Sequence, residues 1–172
     1  MPERVYVALG SNLERATHLP AGLRAIKERF GRLAVSTLYE CPAVGFDGAA
    51  FYNAVVAFDG DEAVQTVHSA LHAIEARFGR DRHQPKFCSR TLDLDLLLWG
   101  DHVVEEGRLV LPRPEIDRVA FVLAPLAELA GERLHPVHRE PFTALWARFD
   151  GVGKHELSPV EPDGLVPPEI CE

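Results

Sequence analysis

An α+β fold, an antiparallel sheet with helices packed on it, follows from three observations on the sequence. Short apolar stretches of strand length occur four times before residue 100. Two stretches of helical spacing lie between them, each closed by glycine. No internal repeat is present, so the order strand, helix, strand, strand, helix, strand describes one unit. That order is the split βαβ pattern of ferredoxin-like folds, expected here with helices on one face and with a small hairpin and C-terminal helices added.

The elements are justified in turn. Arg4 to Leu9 alternates and predicts a strand, and Gly10-Ser11-Asn12 is turn chemistry at its end. Leu19, Leu23, Ile26 and Phe30 recur at helical spacing. Pro20 suits the first turn of that helix, and Gly31 suits the position past its end. Leu33 to Tyr39 predicts a second strand, Cys41 to Ala50 a loop, and Phe51 to Phe58 a third strand. Asp61 is the expected cap of a helix whose stripe is Val64, Val67, Leu71, Ile74 and Phe78. Thr91 to Trp99 predicts the fourth strand. Val103–Val104 and Leu109–Leu111 predict a hairpin. Val119 to Ala130 predicts a helix that Pro125 should kink or restart, and Phe142 to Phe149 a last short one.

The 172 residues make one domain on length, large enough to bury roughly 70% of the unfolded surface without disulfide or zinc. We expect residues 1–149 to form it. Residues 150–172, with four prolines and three glycines, are expected to be an acidic, mobile tail that packs little. No apolar run reaches membrane length and no basic, apolar leader opens the chain, so a cytoplasmic protein with reduced thiols at Cys41, Cys88 and Cys171 is expected. A net charge of −8 argues against nucleic acid or an acidic membrane as partner. Against it, residues 80–90 carry Arg80, Arg82, Lys86 and Arg90 with only Asp81 opposing. A compact basic loop in an acidic chain points to a small polyanion.

Asp93 and Asp95 are the sharpest chemical signal. Two apart on a strand, they share a face, about 6–7 Å apart along it. Leu92, Leu94, Leu96 and Leu98 are expected on the other face. Paired hard oxygen donors in an apolar stretch suit Mg²⁺ together with substrate phosphates, although a solvent-exposed strand face carries the same pattern. The preceding basic loop tips the reading toward a phosphate site, because phosphoryl transfer needs positioning and charge neutralisation more than covalent chemistry. P-loop, kinase and dinucleotide glycine motifs are absent. Gly10-Ser11-Asn12 offers backbone N–H groups to a phosphate or simply turns the chain. Asn53, beside Phe51 and Tyr52, suits hydrogen bonding to a flat heterocycle or a solvent-facing position. His68 and His72 share a helix face without a third ligand.

The motifs V-A-L-G-S-N at 7–12, F-Y-N-A-V-V at 51–56, I-E-A-R-F-G-R-D-R at 74–82 and S-R-T-L-D-L-D-L-L-L-W-G at 89–100 then add a resemblance. In this order and spacing they resemble the 6-hydroxymethyl-7,8-dihydropterin pyrophosphokinases of folate synthesis, over residues 4–136. The resemblance implies transfer of the pyrophosphoryl group of ATP to the pterin hydroxymethyl, with AMP released. It implies that Asp93 and Asp95 hold two Mg²⁺ ions, and that Arg80 and Arg90 act on the transferring charge. It implies ATP contacts from Glu75, Arg82, Lys86, Phe87, Leu96, Arg108 and Arg113. For the pterin it implies Pro42, Val44, Gly45, Phe51, Asn53 and Phe121. The partners implied are ATP and a dihydropterin, with other folate-pathway enzymes as candidate associates.

The chain departs from the family pattern in three places. The common R-W-G-P-R-T becomes Lys86-Phe87-Cys88-Ser89-Arg90-Thr91. A usual Pro-His becomes Pro112-Arg113, and a later arginine becomes Val119, with Arg118 one place earlier. Arg113 and Arg118 are candidates to supply equivalent charge. Two other functions fit the same residues: a paralogue acting on a related pterin alcohol, and a non-catalytic pterin- or nucleotide-binding domain.

Overall fold

The computed structural model describes residues 2–79 and 91–171. Strand β1 (Glu3–Ser11) leads into helix α1 (Arg15–Phe30). Strands β2 (Ala34–Val35), β3 (Leu38–Cys41) and β4 (Phe51–Gly60) follow, then α2 (Val64–Arg77) and β5 (Asp93–Trp99). The hairpin is β6 (Val104–Glu106) with β7 (Leu109–Leu111). Helices α3 (Ala120–Ala130) and α4 (Phe142–Arg148) and strand β8 (Ser158–Val160) complete the fold.

The main sheet runs β5-β1-β4-β3-β8, with β2 also on β4, and every pairing between its strands is antiparallel. Its first four strands have the predicted ferredoxin-like order. One face packs on α1 and α2: Val5, Val7, Leu9, Val56, Phe58, Leu94 and Leu96 meet Leu19, Leu23, Ile26, Val67, Leu71 and Ile74. The other face is partly covered by the added C-terminal helices α3 and α4, where Tyr6, Val55, Ala57, Leu97 and Leu98 meet Leu123, Leu126, Phe142 and Leu145.

Several local expectations are corrected. The second strand breaks into β2 and β3, because Ser36 takes over the ladder: its N–H donates to Val55 O, and its Oγ accepts from Val55 N, both at 2.9 Å. Helix α1 begins at Arg15, and Pro20 sits inside it rather than in its first turn. Ala63, not Asp61, precedes α2. Pro125 lies within α3, and the helix continues to Ala130.

Residues 150–172 were expected to pack little, and this too is corrected. Val152 N–H donates to Arg118 O and Val152 O accepts from Ala120 N. Strand β8 extends the sheet by pairing with β3. Leu165 and Ile170 join the α1–α2 core, and Leu33 N–H donates to Ile170 O. Prolines and acidic charge dominate the composition of this segment, but two apolar side chains and a few backbone bonds suffice to seat it.

No helix among the described residues is long and apolar enough to cross a membrane.

Candidate active site

The site grows from the register of three strands. Asp93 lies opposite Gly10, and Gly10 lies opposite Asn53, so β5, β1 and β4 present these residues in one row. Two strand spacings separate the outer members, about 10 Å between their backbones. Gly10 makes the middle of the row a floor. A Cβ there would lie 2.9 Å from Asn53 Oδ1, 3.6 Å from Phe51 Cδ1 and 4.0 Å from Asp93 Cβ. Any larger residue would push into the amide of Asn53.

Asp95 follows on the same face, opposite Ala8. The alternation then breaks. Tyr6 pairs with Leu98 while Val7 pairs with Leu96, so Leu97 is the extra residue of a β-bulge. The bulge moves Leu98 to the α3 side, where it joins Leu97. The expectation that Leu98 shares a face with Leu94 and Leu96 is therefore corrected. The bulge also frees the Leu97 carbonyl, which accepts from Arg113 N–H at 3.1 Å.

That backbone bond delivers a cation. Arg113 Nη2 lies 3.4 Å from Asp95 Oδ1, and its Nε lies 3.0 Å from Glu115 Oε2. Burial works to lower the Arg113 pKa. Asp95, Glu115, Asp93 and Glu75 together outweigh it, and the guanidinium is held above its ordinary value. It therefore stays charged across any working pH. The Asp95 and Arg113 side chains remain 28% and 29% exposed, enough to meet a ligand.

The structure sorts the other sequence-derived residues. Phe51 and Asn53 lie on the site face of β4, and Phe46 packs edge-on against Phe51 with centroids 6.2 Å apart. That contact draws the loop of Pro42, Val44 and Gly45 toward the row. Asn53 is buried beside Cys41, whose thiol burial pushes up to about 11 against a smaller lowering by Asn53. Cys41 is therefore an inert thiol at neutral pH. Phe121 is half-buried on α3. Arg108 is exposed at the tip of the β6–β7 hairpin, and Arg118 is exposed ahead of α3. The Leu96 side chain belongs to the α1–α2 core, so only its backbone is free to face a ligand. Glu75 is fully buried and accepts from Leu94 N–H at 2.8 Å. Arg80, Arg82, Lys86, Phe87 and Arg90 lie outside the described residues.

The described residues that flank that segment are tied to each other and to β1. Thr91 Oγ donates to Phe78 O, and Thr91 O accepts from Ser11 Oγ at 2.5 Å. Asn12 Nδ2 donates to Ala49 O. The Gly10-Ser11-Asn12 triplet thus ties β1 to β5 and to the 41–50 loop. Sequence reasoning missed the roles of Gly10 and of the Arg113–Asp95 contact. The departure from Pro-His at 112–113 was the one signal for the latter.

Two surface cavities of about 480 Å³ lie elsewhere, one between Tyr39, Trp146 and Lys154 and one beside Asp117 and His138. Neither is lined by Asp93 or Asp95. The row of Asp93, Gly10 and Asn53 is the candidate because it carries the charged groups.

Residues 6–131 match the family model described as 7,8-dihydro-6-hydroxymethylpterin-pyrophosphokinase. The 2-amino-4-hydroxy-6-hydroxymethyldihydropteridine pyrophosphokinase of Pseudomonas aeruginosa is 40% identical over 158 residues, covering 88% of this chain and 96% of that protein. The enzyme of the same name from Aquifex aeolicus is 30% identical over 139 residues, covering 80% and 86%. Among solved structures, a Plasmodium falciparum HPPK-DHPS triple mutant superposes with a TM-score of 0.70 at 13% identity, over 87% of this chain. That likeness shows the fold, and this chain spans 44% of the longer Plasmodium chain.

Proposed function

The chain belongs to the 7,8-dihydro-6-hydroxymethylpterin-pyrophosphokinase family, and we propose that its reaction is carried by the row built on Asp93, Gly10 and Asn53. It is a transferase that moves the pyrophosphoryl group of ATP to the hydroxymethyl oxygen of 6-hydroxymethyl-7,8-dihydropterin in folate synthesis. The hydroxymethyl oxygen bonds to the β-phosphorus, the bond from that phosphorus to the α-phosphate breaks, and AMP leaves. The hydroxyl proton passes to solvent.

The observation that carries the site assignment is the pair Asp93 and Asp95 on one face of β5 with Arg113 against it. Two partly exposed hard oxygen donors fit Mg²⁺, and we assign both carboxylates as its ligands, with two ions as the expected number. When bound, Mg²⁺ neutralises phosphate charge and makes the pterin hydroxyl easier to deprotonate. Asp93 and Asp95 hold their oxygens on one line of approach because a strand repeats every second residue. Arg113 adds a fixed positive charge for phosphate oxygens. Arg80 and Arg90 are proposed to act on the transferring group, with Arg82, Lys86, Phe87 and Arg108 as ATP contacts. Asn53 is proposed to read the pterin edge, Phe51 and Phe121 to flank its ring, and Pro42, Val44 and Gly45 to line its pocket. Association with other folate-pathway enzymes is supported by the fused HPPK-DHPS chain of Plasmodium falciparum.

The test is AMP release from ATP, Mg²⁺ and 6-hydroxymethyl-7,8-dihydropterin. The wild type should release AMP, and Asp95→Ala should lose about a thousand-fold in rate with unchanged circular dichroism, the size of effect seen when a main charge-stabilising group is removed. Asp95→Ala at wild-type rate would overturn the assignment of the site.

A further inference from the structure

Glu75 is the anomaly of the helix-packed face. It sits on the buried stripe of α2 with Val64, Val67, Leu71 and Ile74, and it is fully buried. A carboxyl group among aliphatic side chains costs free energy unless hydrogen bonds compensate it, and an apolar residue would fill the same space without that cost. Its position therefore needs a reason beyond packing.

The reason lies across the helix–strand contact. Glu75 Oε2 accepts from the backbone N–H of Leu94 at 2.8 Å. Leu94 is the residue between Asp93 and Asp95, and β5 is the edge strand of the sheet. An edge strand is held by a ladder on one side only, and its outward N–H groups have no neighbouring strand. On its inner side β5 already carries the bulge at Leu97, which loosens the register just past Asp95. The strand that bears both carboxylates is thus held by a ladder on one side only, and that ladder is interrupted just past Asp95.

We propose that Glu75 is a positioning residue: by accepting from Leu94 N–H it locks the stretch Asp93-Leu94-Asp95 against α2 and fixes where both carboxylates point. The inference rests on the assignment of Asp93 and Asp95 as metal ligands. The positioning role stands beside the ATP contact that the family resemblance implies for Glu75, and it rests on the Leu94 bond alone. Groups that orient metal ligands typically alter affinity or rate by about 10–100-fold when removed.

Three measurements on Glu75→Met and Glu75→Gln test it. Methionine nearly keeps the volume and removes the acceptor, whereas glutamine keeps an acceptor oxygen for Leu94 N–H. The readouts are hydrogen exchange of the Leu94 amide, Mg²⁺ affinity by calorimetry with a non-hydrolysable ATP analogue, and kcat against KM for ATP. Glu75→Met should speed Leu94 exchange at least about 10-fold, weaken Mg²⁺ by about 10–100-fold and lower kcat, with Glu75→Gln within about three-fold of wild type in all three.

Unchanged Leu94 exchange in Glu75→Met overturns the proposal. So does faster exchange with unaltered Mg²⁺ affinity and kcat, or a Glu75→Gln variant as impaired as Glu75→Met. If Glu75→Met does not fold, Leu94 exchange in the wild-type protein decides: exchange as fast as an unstructured amide overturns it. Wild-type activity in Asp95→Ala would instead defeat the functional reading on which the proposal stands, while leaving the Leu94 exchange result intact.

Discussion

The two faces of strand β5 have opposite characters. On one, Leu94 and Leu96 are sealed against α1 and α2. On the other, Asp93 and Asp95 stand partly open beside Gly10, Asn53 and Arg113. The same seven residues serve both. The apolar face sets the register, and the register aims the carboxylates, because a slip of one residue would exchange the two sets. Stability and chemistry are thus written on one strand but are separable by face, which gives a graded series of ways to disturb either.

The largest expected effect is on the open face. Asp93→Asn should lower the rate of AMP formation by about a thousand-fold while the denaturation midpoint stays put. A midpoint falling in step with activity would show that the carboxylate serves the fold, and the contrast between the faces would fail.

Next come losses from the sealed face. Leu94→Ala should cost about 2–5 kcal/mol in urea unfolding, and Ile170→Ala a similar amount, because both side chains are buried in the same core. A cost under about 0.5 kcal/mol for Ile170→Ala would return the C-terminal segment to the status of a loose tail.

A smaller effect tests the floor of the row. Gly10→Ala places a methyl group 2.9 Å from Asn53 Oδ1. The amide must move, and KM for the pterin should rise about ten-fold with kcat less affected, a loss near that of one good hydrogen bond. Equal kinetics in Gly10→Ala would remove Asn53 from the pterin site.

The smallest is a pH effect far from β5. Burial, then His138, hold the His135 pKa below its ordinary value, with Asp117 opposing. His135 Nδ1 accepts from Val137 N–H and His138 N–H, each at 3.1 Å, so the neutral ring fits the fold. The unfolded chain therefore binds this proton more readily than the folded one. Stability from His135 is complete above the unfolded pKa of about 6.5 and is lost as pH falls through it toward the folded value. Melting temperatures from pH 8 to 5 should show this slope, and His135→Asn should flatten it. An unchanged slope in that variant would assign the acid sensitivity to other groups.

Much of this was legible in the sequence. The alternation of Asp93-Leu94-Asp95-Leu96 announced both the strand and its two faces, and the helical stripes of α1 and α2 were read nearly residue by residue. Errors gathered where a distant partner overrode a local signal. Pro125 did not break α3, which is buried along most of its length. Leu98 changed face because a bulge inserted Leu97, and no periodicity in β5 alone encodes an insertion relative to β1.

The sequence by itself determined the order of the main strands and helices, the family to which the chain belongs and the placing of Asp93 and Asp95 on one strand face, because each is carried by residues close together in the chain. Only the tertiary structure decided that Gly10 lies between Asp93 and Asn53, that Arg113 reaches Asp95, that Glu75 holds Leu94, and that Ile170 completes the core. Those contacts join residues at least 18 positions apart in no repeating pattern, and they exist only once the strands have been paired and the helices laid across them.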